Sequence, residues 1–308
     1  MTPRVLTVGT RGSALALAQS GAVAAVLAEN AGAVSDLVRI KTEGDVNTGP
    51  LASIGGTGIF VTALRSALLD GRVDVIVHSY KDLPTATADG LTVAAVPERE
   101  DPADALCARD GLTLDQLPTA ARVGTGSARR AAQLLRRRPD LTVEPIRGNV
   151  DTRLRMVTGG GLDAVVLAVS GLARLGRTAA ITQRLGPDVM LPAPAQGALA
   201  VECRSADAET AWYADALRAL DSTPTRAAVT AERSLLATLG AGCLAPVGAQ
   251  ATVRDGALTL DGVVLAVDGS DEIRALITGP VGRAGELGRD LADGMLSSGA
   301  ASLLGAVR

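Results

Sequence analysis

Lys81 and Asp82 stand side by side directly after the apolar run 73–77. Open α/β sheets place ligand-binding groups at the carboxyl ends of their strands, so this pair offers a cation and a carboxylate at a position suited to chemistry. A turn with a surface ion pair explains the same spacing equally well. His78, the single histidine of the chain, precedes the pair, and we interpret it as structural rather than as a catalytic base.

Two similar glycine turns precede predicted helices. Residues 8–14 are Val-Gly-Thr-Arg-Gly-Ser-Ala, and residues 123–128 are Val-Gly-Thr-Gly-Ser-Ala. Helix N-termini favour anions, and arginine forks match carboxylates. An ordinary N-cap explains either turn alone, but two such turns with nearby arginines predict an anion site. Its candidate residues are Arg11, Ser13, Ser127, Arg129 and Arg130.

Two further arginines flank the segment 147–153, which follows a predicted strand. We expect Arg147 and Arg153 to extend the same positively charged surface. The arginines at 136–138 differ, because they end a predicted helix, where cations oppose the negative end of the helix dipole. A solvated surface is expected for these three.

Cys243 lies in the glycine-rich stretch 240–248. Glycines around a cysteine allow a ligand to approach the backbone closely, whereas burial at a helix end is the commoner fate of cysteine. The residues alone leave this choice open. Cys107 and Cys203 are far from it and from each other, so we expect reduced thiols rather than disulfides.

Composition excludes several function classes. The formal net charge is -3 and aromatic residues make up 1% of the chain, which argues against nucleic acid binding by charge or by base stacking. A single histidine excludes a multi-histidine metal site, and no metal is predicted. Two of the 30 basic residues are lysines and the other 28 are arginines, so arginine abundance by itself is weak evidence for function.

The N-terminal segment has a superficial likeness to a signal peptide, because Arg4 and Arg11 precede the apolar stretch 14–28. A strand-like run at 5–8 and the polar pair Gln19-Ser20 argue against that interpretation. Since no run of about 18 apolar residues occurs, we expect neither a leader nor a membrane span, and we expect a cytoplasmic protein.

The pattern of the first two thirds of the chain predicts two α/β domains. Strands are expected at 4–8, 37–41 and 73–77, with helices at 13–29 and 59–69. The second glycine turn starts a similar unit, whose strands are expected at 142–146 and 164–169. This weak repeat predicts two similar doubly wound domains.

The last third changes character after residue 221. A helix is expected at 224–239 and another at about 282–296. Between them, the dipeptides Asp255-Gly256, Asp261-Gly262 and Asp268-Gly269 predict turns between short antiparallel strands. A small α+β third domain is therefore expected.

Six motifs in this order resemble the hydroxymethylbilane synthase (porphobilinogen deaminase) family. They are GTRGS (9–13), HSYKDLP (78–84), GTGSARR (124–130), RGNVDTR (147–153), QGA (196–198) and GCLAPVG (242–248). Many family members carry a lysine in the glycine-rich loop where this chain has Thr57, so a direct ligand contact from Thr57 is not expected. The segment 47–58 is expected to act as a lid.

The resemblance implies a three-domain fold whose first two domains are similar to type II periplasmic binding proteins and flank a cleft. The expected boundaries are 1–97 with 198–217, then 102–192, then 221–308 for the domain that carries Cys243. The expected protein is a monomer.

The resemblance also implies a transferase that condenses four porphobilinogen molecules head to tail on a dipyrromethane primer and releases a linear tetrapyrrole. Cys243 would form the thioether to that cofactor, and Asp82 would be the catalytic acid/base. Implied cofactor contacts are Lys81, Ser13, Ser79, Thr125, Ser127, Arg129, Arg130, Arg147 and Asn149. Implied substrate contacts are Arg11, Arg147, Arg153, Arg174 and Gln196. The alternative is a non-catalytic protein that binds a small carboxylate between two domains.

Overall fold

The structure is a computed structural model that describes residues 3–41, 61–242 and 245–305. The chain divides into two compact units, Met1–Arg99 with Ala198–Arg226, and Glu100–Gly197 with Ala227–Arg308. Within the described ranges, no helix has the length and apolar character needed to cross a membrane. The three-domain boundaries stay a prediction.

The elements follow one another along the chain as an α/β pattern and then an α+β pattern. The strands are β1 (Val5–Thr10), β2 (Val34–Arg39), β3 (Val75–Ser79), β4 (Leu91–Ala95), β5 (Asp104–Ala108), β6 (Arg122–Thr125), β7 (Thr142–Pro145), β8 (Ala164–Ala168), β9 (Gln183–Leu185), β10 (Leu199–Arg204), β11 (Val247–Arg254), β12 (Ala257–Leu265) and β13 (Glu272–Pro280). The helices of the described residues are α1 (Ala14–Asn30), α2 (Thr62–Leu69), α3 (Ala128–Arg137), α4 (Val150–Thr158), α5 (Val169–Arg174), α6 (Asp207–Thr210), α7 (Ala214–Leu220), α8 (Thr223–Thr238), α9 (Ala284–Ser297) and α10 (Ala300–Gly305).

The first unit is built on a five-stranded sheet of order β2-β1-β3-β10-β4. Strands β1, β2 and β3 pair in parallel, and β10 runs antiparallel between β3 and β4. Val8, Val75 and Val201 are fully buried in this sheet. Near-continuous apolar runs of this kind are expected for strands covered on both faces, and the strands predicted at 4–8 and 73–77 are confirmed. The strand predicted at 37–41 instead begins at Val34 and ends at Arg39, and its residues are exposed or half-buried because it is an edge strand of the sheet.

The second unit repeats this arrangement in the order β7-β6-β8-β5-β9. Here β5 is the antiparallel strand, inserted between β8 and β9. The chain passes from the first unit to the second after Arg99 and returns after Gly197. The first strand after each crossing, β5 and then β10, is the strand that runs antiparallel in its sheet. Two doubly wound sheets with this shared order confirm the predicted type II periplasmic-binding-protein-like class.

In the second unit, a three-stranded antiparallel sheet, β11-β12-β13, packs with α9, α10 and the part of α8 that follows Arg226. The predicted turns at 255–256 and 268–269 are confirmed. The predicted turn at Asp261-Gly262 is wrong, because both residues lie inside β12. Asp261 pairs there with Arg274 of β13, and a side chain at Gly262 would press on Leu235 and Leu291.

Candidate active site

A cavity of about 90 Å³ lies in the first unit at the carboxyl ends of β1 and β3. These strands are parallel neighbours, so the loops that follow them meet at one edge of the sheet. The candidate residues in its lining are Arg11, Ser13, Ser79 and Asp82. The structure thus brings together side chains from two motifs that are about 70 residues apart in sequence.

Asp82 ends a short 3₁₀ helix, Tyr80–Asp82, which directly follows β3. The residue is exposed, while Leu83 behind it is buried. Leu83 donates its backbone N–H to the carbonyl of Tyr80 and so closes the turn. Asp82 is therefore presented to the cavity by a buried strand and an anchored turn.

His78 is buried beside the cavity, and its Nε2 lies 3.1 Å from Oε2 of Glu202. Arg65 donates two hydrogen bonds to the same carboxylate, at 3.0 and 2.7 Å. Burial raises the pKa of Glu202, but the hydrogen bonds from His78 and Arg65 outweigh it and lower the pKa to about 2. His78 therefore has a structural role, as expected, whereas no local pattern in the sequence indicated its link to Glu202 and Arg65.

Several predicted contact residues cap helices. Ser13 Oγ accepts from the backbone of Ala16 at the start of α1, and Asn149 accepts from Thr152 at the start of α4. Ser127 caps α3, and Thr125 Oγ1 accepts from the N–H of Ser127 at 3.2 Å. These bonds hold three helix N-termini in the conformation that exposes their remaining N–H groups to a ligand.

Ser79 is the last residue of β3, and Lys81 lies in the 3₁₀ helix Tyr80–Asp82 that follows it. The Ser79 hydroxyl exchanges hydrogen bonds with the side-chain amide of Gln19 on α1, at 3.0 and 3.2 Å. Gln19 is buried, and Lys81 is half-buried. The contact fixes the end of β3 against α1.

The arginine pair of α3 lies in a different environment from the one the sequence suggested. Arg129 and Arg130 are 3% and 6% exposed, and both bind Asp104, which is fully buried. Arg129 Nη1 donates to Asp104 at 2.7 Å, and Arg130 donates through Nε and Nη2 at 2.9 and 2.7 Å. The sequence predicted an exposed arginine surface and gave no indication of the buried carboxylate of Asp104. Direct ligand contacts from Arg129 and Arg130 remain a prediction.

Arg153 and Arg174 are half-buried, and among the described residues neither forms an ion pair with a carboxylate. Arg153 Nε donates to the carbonyl of Gly148, and Arg174 donates to that of Gly197. Burial lowers the pKa of both guanidinium groups. The charge of Arg130 lowers the pKa of Arg153 further, whereas the charge of Glu100 offsets part of the effect at Arg174. Desolvated positive charge of this kind favours binding of an anion.

The remaining candidates differ in exposure. Arg147 is exposed, whereas Gln196 is fully buried and donates to the carbonyl of Pro102 and to Asp104, at 2.7 and 2.8 Å. Burial raises the pKa of Cys107 and of Cys203 to about 11, so both thiols stay protonated near neutral pH. Cys243, Thr57 and the segment 47–58 lie outside the described residues.

Comparison with known families gives matches along nearly the whole chain. Residues 6–212 match the family model "porphobilinogen deaminase, dipyromethane cofactor binding domain", and residues 226–297 match "porphobilinogen deaminase, C-terminal domain". The chain belongs to the porphobilinogen deaminase family. It is accordingly an enzyme of the transferase class, and the family assignment supports this function over the non-catalytic alternative.

Relatives of similar length carry the same family name. The porphobilinogen deaminase of Nocardia farcinica is 54% identical over 97% of this chain and 88% of its own length. Porphobilinogen deaminase 1 of Streptomyces coelicolor is also 54% identical, over 99% of both chains. A solved periplasmic substrate-binding protein of an ABC transporter from Coxiella burnetii is 16% identical with a TM-score of 0.44, and the match covers 74% of this chain and 94% of that one.

The residues of the second unit fit a cofactor that carries carboxylates. Arg129 and Arg130 offer buried guanidinium groups, and the helix N-termini at Ser127 and Asn149 add backbone donors. Nε of Arg129 is buried and lacks a hydrogen-bond partner among the described residues. Such a donor set suits the acidic side chains of a dipyrromethane.

Proposed function

We propose that this chain is a hydroxymethylbilane synthase that condenses four porphobilinogen molecules on a dipyrromethane primer held by Cys243. The observation that supports this most directly is the presence of Asp82 and Arg11 in one cavity of a chain that matches the family over most of its length. When bound, the cofactor supplies the nucleophilic pyrrole carbon on which the chain grows.

Each addition breaks the C–N bond of one porphobilinogen and forms one C–C bond. The protonated aminomethyl group of the substrate leaves as ammonia, and the substrate becomes a cationic electrophile. The pyrrole carbon that forms the new bond would then give up its proton, which leaves with the ammonia as ammonium. Asp82 stabilises the transient positive charge at the pyrrole nitrogens and relays protons, because an oriented carboxylate does both more effectively than water. Water finally releases the tetrapyrrole.

Arginines bind the acidic side chains of substrate and cofactor in this scheme. For the substrate we assign Arg11, Arg147, Arg153, Arg174 and Gln196. For the cofactor we assign Lys81, Ser13, Ser79, Thr125, Ser127, Arg129, Arg130, Arg147 and Asn149. The desolvated guanidinium charge of Arg153 and Arg174 supports the first assignment, and the capped helix N-termini support the second. We further propose a monomer that works in the cytoplasm.

Ammonia release tests the proposed reaction against simple binding of a carboxylate. Purified chain is incubated with porphobilinogen, and ammonia and linear tetrapyrrole are quantified in the same samples. The proposal predicts four ammonia molecules per tetrapyrrole. Binding of porphobilinogen without any release of ammonia would contradict it.

A further inference from the structure

Asp104, the first residue of β5 in the second unit, is a fully buried carboxylate. Its Oδ1 accepts from Arg130 Nε, Arg130 Nη2 and Gln196 Nε2, and its Oδ2 accepts from Arg129 Nη1. Burial raises the pKa of Asp104, but the charges of Arg129 and Arg130 outweigh it and keep the pKa well below the ordinary value. The group is thus a permanent anion.

The bonds to Asp104 fix the direction of both guanidinium groups. Arg130 presents the edge that carries Nε and Nη2 to one oxygen, while its Nη1 donates to the carbonyl of Val166 at 2.9 Å. Arg129 Nη1 is shared between Asp104 and the carbonyl of Leu191, at 2.7 and 2.6 Å. Charge-assisted bonds of this geometry are strong and directional, so each arginine has one favoured orientation.

The cluster is not electrically balanced. One carboxylate faces two guanidinium groups, and Arg153 lies close enough to Arg130 that the Arg130 charge lowers the pKa of Arg153. Without Asp104, three positive groups would repel one another in a desolvated place. With Asp104, positive charge remains in excess, and an acidic ligand is still attracted.

The carboxylate is itself held by a rigid support. Gln196 donates to Asp104 and to the carbonyl of Pro102, so it joins the segment before β5 to the turn 193–197. In that turn the backbone N–H of Ala195 donates to Glu232 at 2.6 Å. A Cβ at Gly197 would stand 2.4 Å from the carbonyl oxygen of Glu100, which shows how closely these two segments pack.

We infer that Asp104 is the positioning residue of the arginine pair, holding Arg129 and Arg130 in the orientation that binds the carboxylates of the dipyrromethane. This inference rests on the proposed function. Asp104 itself does not touch the ligand, and it acts by fixing the donors before the ligand arrives. Its loss therefore weakens binding of porphobilinogen during cofactor assembly and leaves the chemistry at Asp82 intact.

Asp104→Asn tests this, with Asp140→Asn as the matched control, because Asp140 also pairs with two nitrogens of one arginine, Arg138, in the same unit. Cofactor-free protein is given porphobilinogen, and the covalent adduct is followed by intact mass, below the unfolding temperature of each variant. We expect the half-saturating porphobilinogen concentration to rise at least tenfold in Asp104→Asn, with a limiting rate within threefold of the unaltered chain. Asp140→Asn should change neither value.

If Asp104 only stabilised the fold, Asp104→Asn would lower the limiting rate through loss of competent protein and would leave the half-saturating porphobilinogen concentration unchanged. That result would overturn the inference. If Asp104→Asn does not fold, the same comparison is made between Arg129→Gln and the double variant Arg129→Gln/Asp104→Asn, which keeps the net charge of the unaltered cluster. Equal half-saturation in these two would also overturn it. An unaltered chain that never acquires an adduct would contradict the proposed function itself, and this inference with it.

Discussion

Asp82 is the residue to which the mechanism assigns the chemistry, and its exposure allows a clean substitution. Asp82→Asn keeps the shape of the side chain and removes the negative charge that stabilises the cationic pyrrole. We expect kcat to fall by about 100-fold or more, since loss of one oriented electrostatic group commonly costs that much. The rate of ammonia release measures kcat, and thermal unfolding should be unchanged.

Asp89→Asn is the control for that experiment, because Asp89 is an exposed aspartate in the same unit, outside the cavity lining. It should leave both kcat and thermal stability unaltered. Turnover near normal in Asp82→Asn would remove Asp82 from the centre of the mechanism.

Motifs in the sequence indicated Arg11, Ser13, Ser79 and Asp82, which line one cavity, but they did not indicate the partners of the arginines. Arg129 and Arg130 were identified from a local motif, but Asp104 lies 25 residues away from Arg129 and had no local signal. Arg136 and Arg137 are exposed, as expected, but Arg138 is half-buried and donates to the backbone carbonyls of Leu114 and Leu117. Pairs of this kind depend on how distant segments pack, and a single sequence does not contain that information in its local pattern.

At the scale of elements, the packing of α9 on α8 depends on a close approach at Gly288. A Cβ there would lie 2.3 Å from the carbonyl oxygen of Ala231 and 2.7 Å from Cβ of Ser234. Gly288→Ala must therefore push the two helices apart, and we expect it to lower the free energy of unfolding by about 1–3 kcal/mol. Denaturant unfolding of the purified variant measures this change.

Gly294→Ala in the same helix is the matched control, because Gly294 is exposed and a methyl group added there would meet no described atom within 4 Å beyond the backbone of its own helix. Alanine favours a helix interior over glycine by about 1 kcal/mol, so this variant should be as stable as the original or slightly more stable. An equal loss of stability in both variants would argue against a specific α8–α9 contact.

Glu202 links β10 to α2 and β3 through Arg65 and His78, and it makes stability depend on pH. Its folded pKa of about 2 lies below the ordinary value of 4.5, so its contribution is fully present above pH 4.5 and is lost as the pH falls through 2. We expect Glu202→Gln to lose on the order of 3 kcal/mol at neutral pH. The difference from the unaltered chain should shrink between pH 4.5 and 2 in denaturant titrations, and a pH-independent difference would contradict this account.

Element prediction succeeded where the apolar period and the turn residues agreed. The glycine turn at 123–128 correctly predicted a strand followed by a helix, and Asp268-Gly269 correctly predicted the hairpin between β12 and β13. Asp261-Gly262 was misjudged because its glycine provides space for core leucines rather than a turn. Strands β5 and β10 were missed because neither belongs to the βα units that the glycine turns indicated, and both run antiparallel to their neighbours.

For the whole molecule, the contrast between net charge and local charge fits the proposed function. The chain carries a formal charge of -3, yet the second unit concentrates desolvated guanidinium groups at Arg129, Arg153 and Arg174. A protein that binds an oligomer with two carboxylates on every ring needs such a local excess. A large overall positive charge would instead favour non-specific polyanion binding.

The central claim is that the growing oligopyrrole is tethered to the sulfur of Cys243, and intact mass spectrometry tests it most directly. Freshly purified, active protein should exceed the mass of its sequence by one dipyrromethane. Cys243→Ser should have the unmodified mass and no turnover. An active preparation whose mass corresponds to a free thiol at residue 243 throughout turnover would contradict the account.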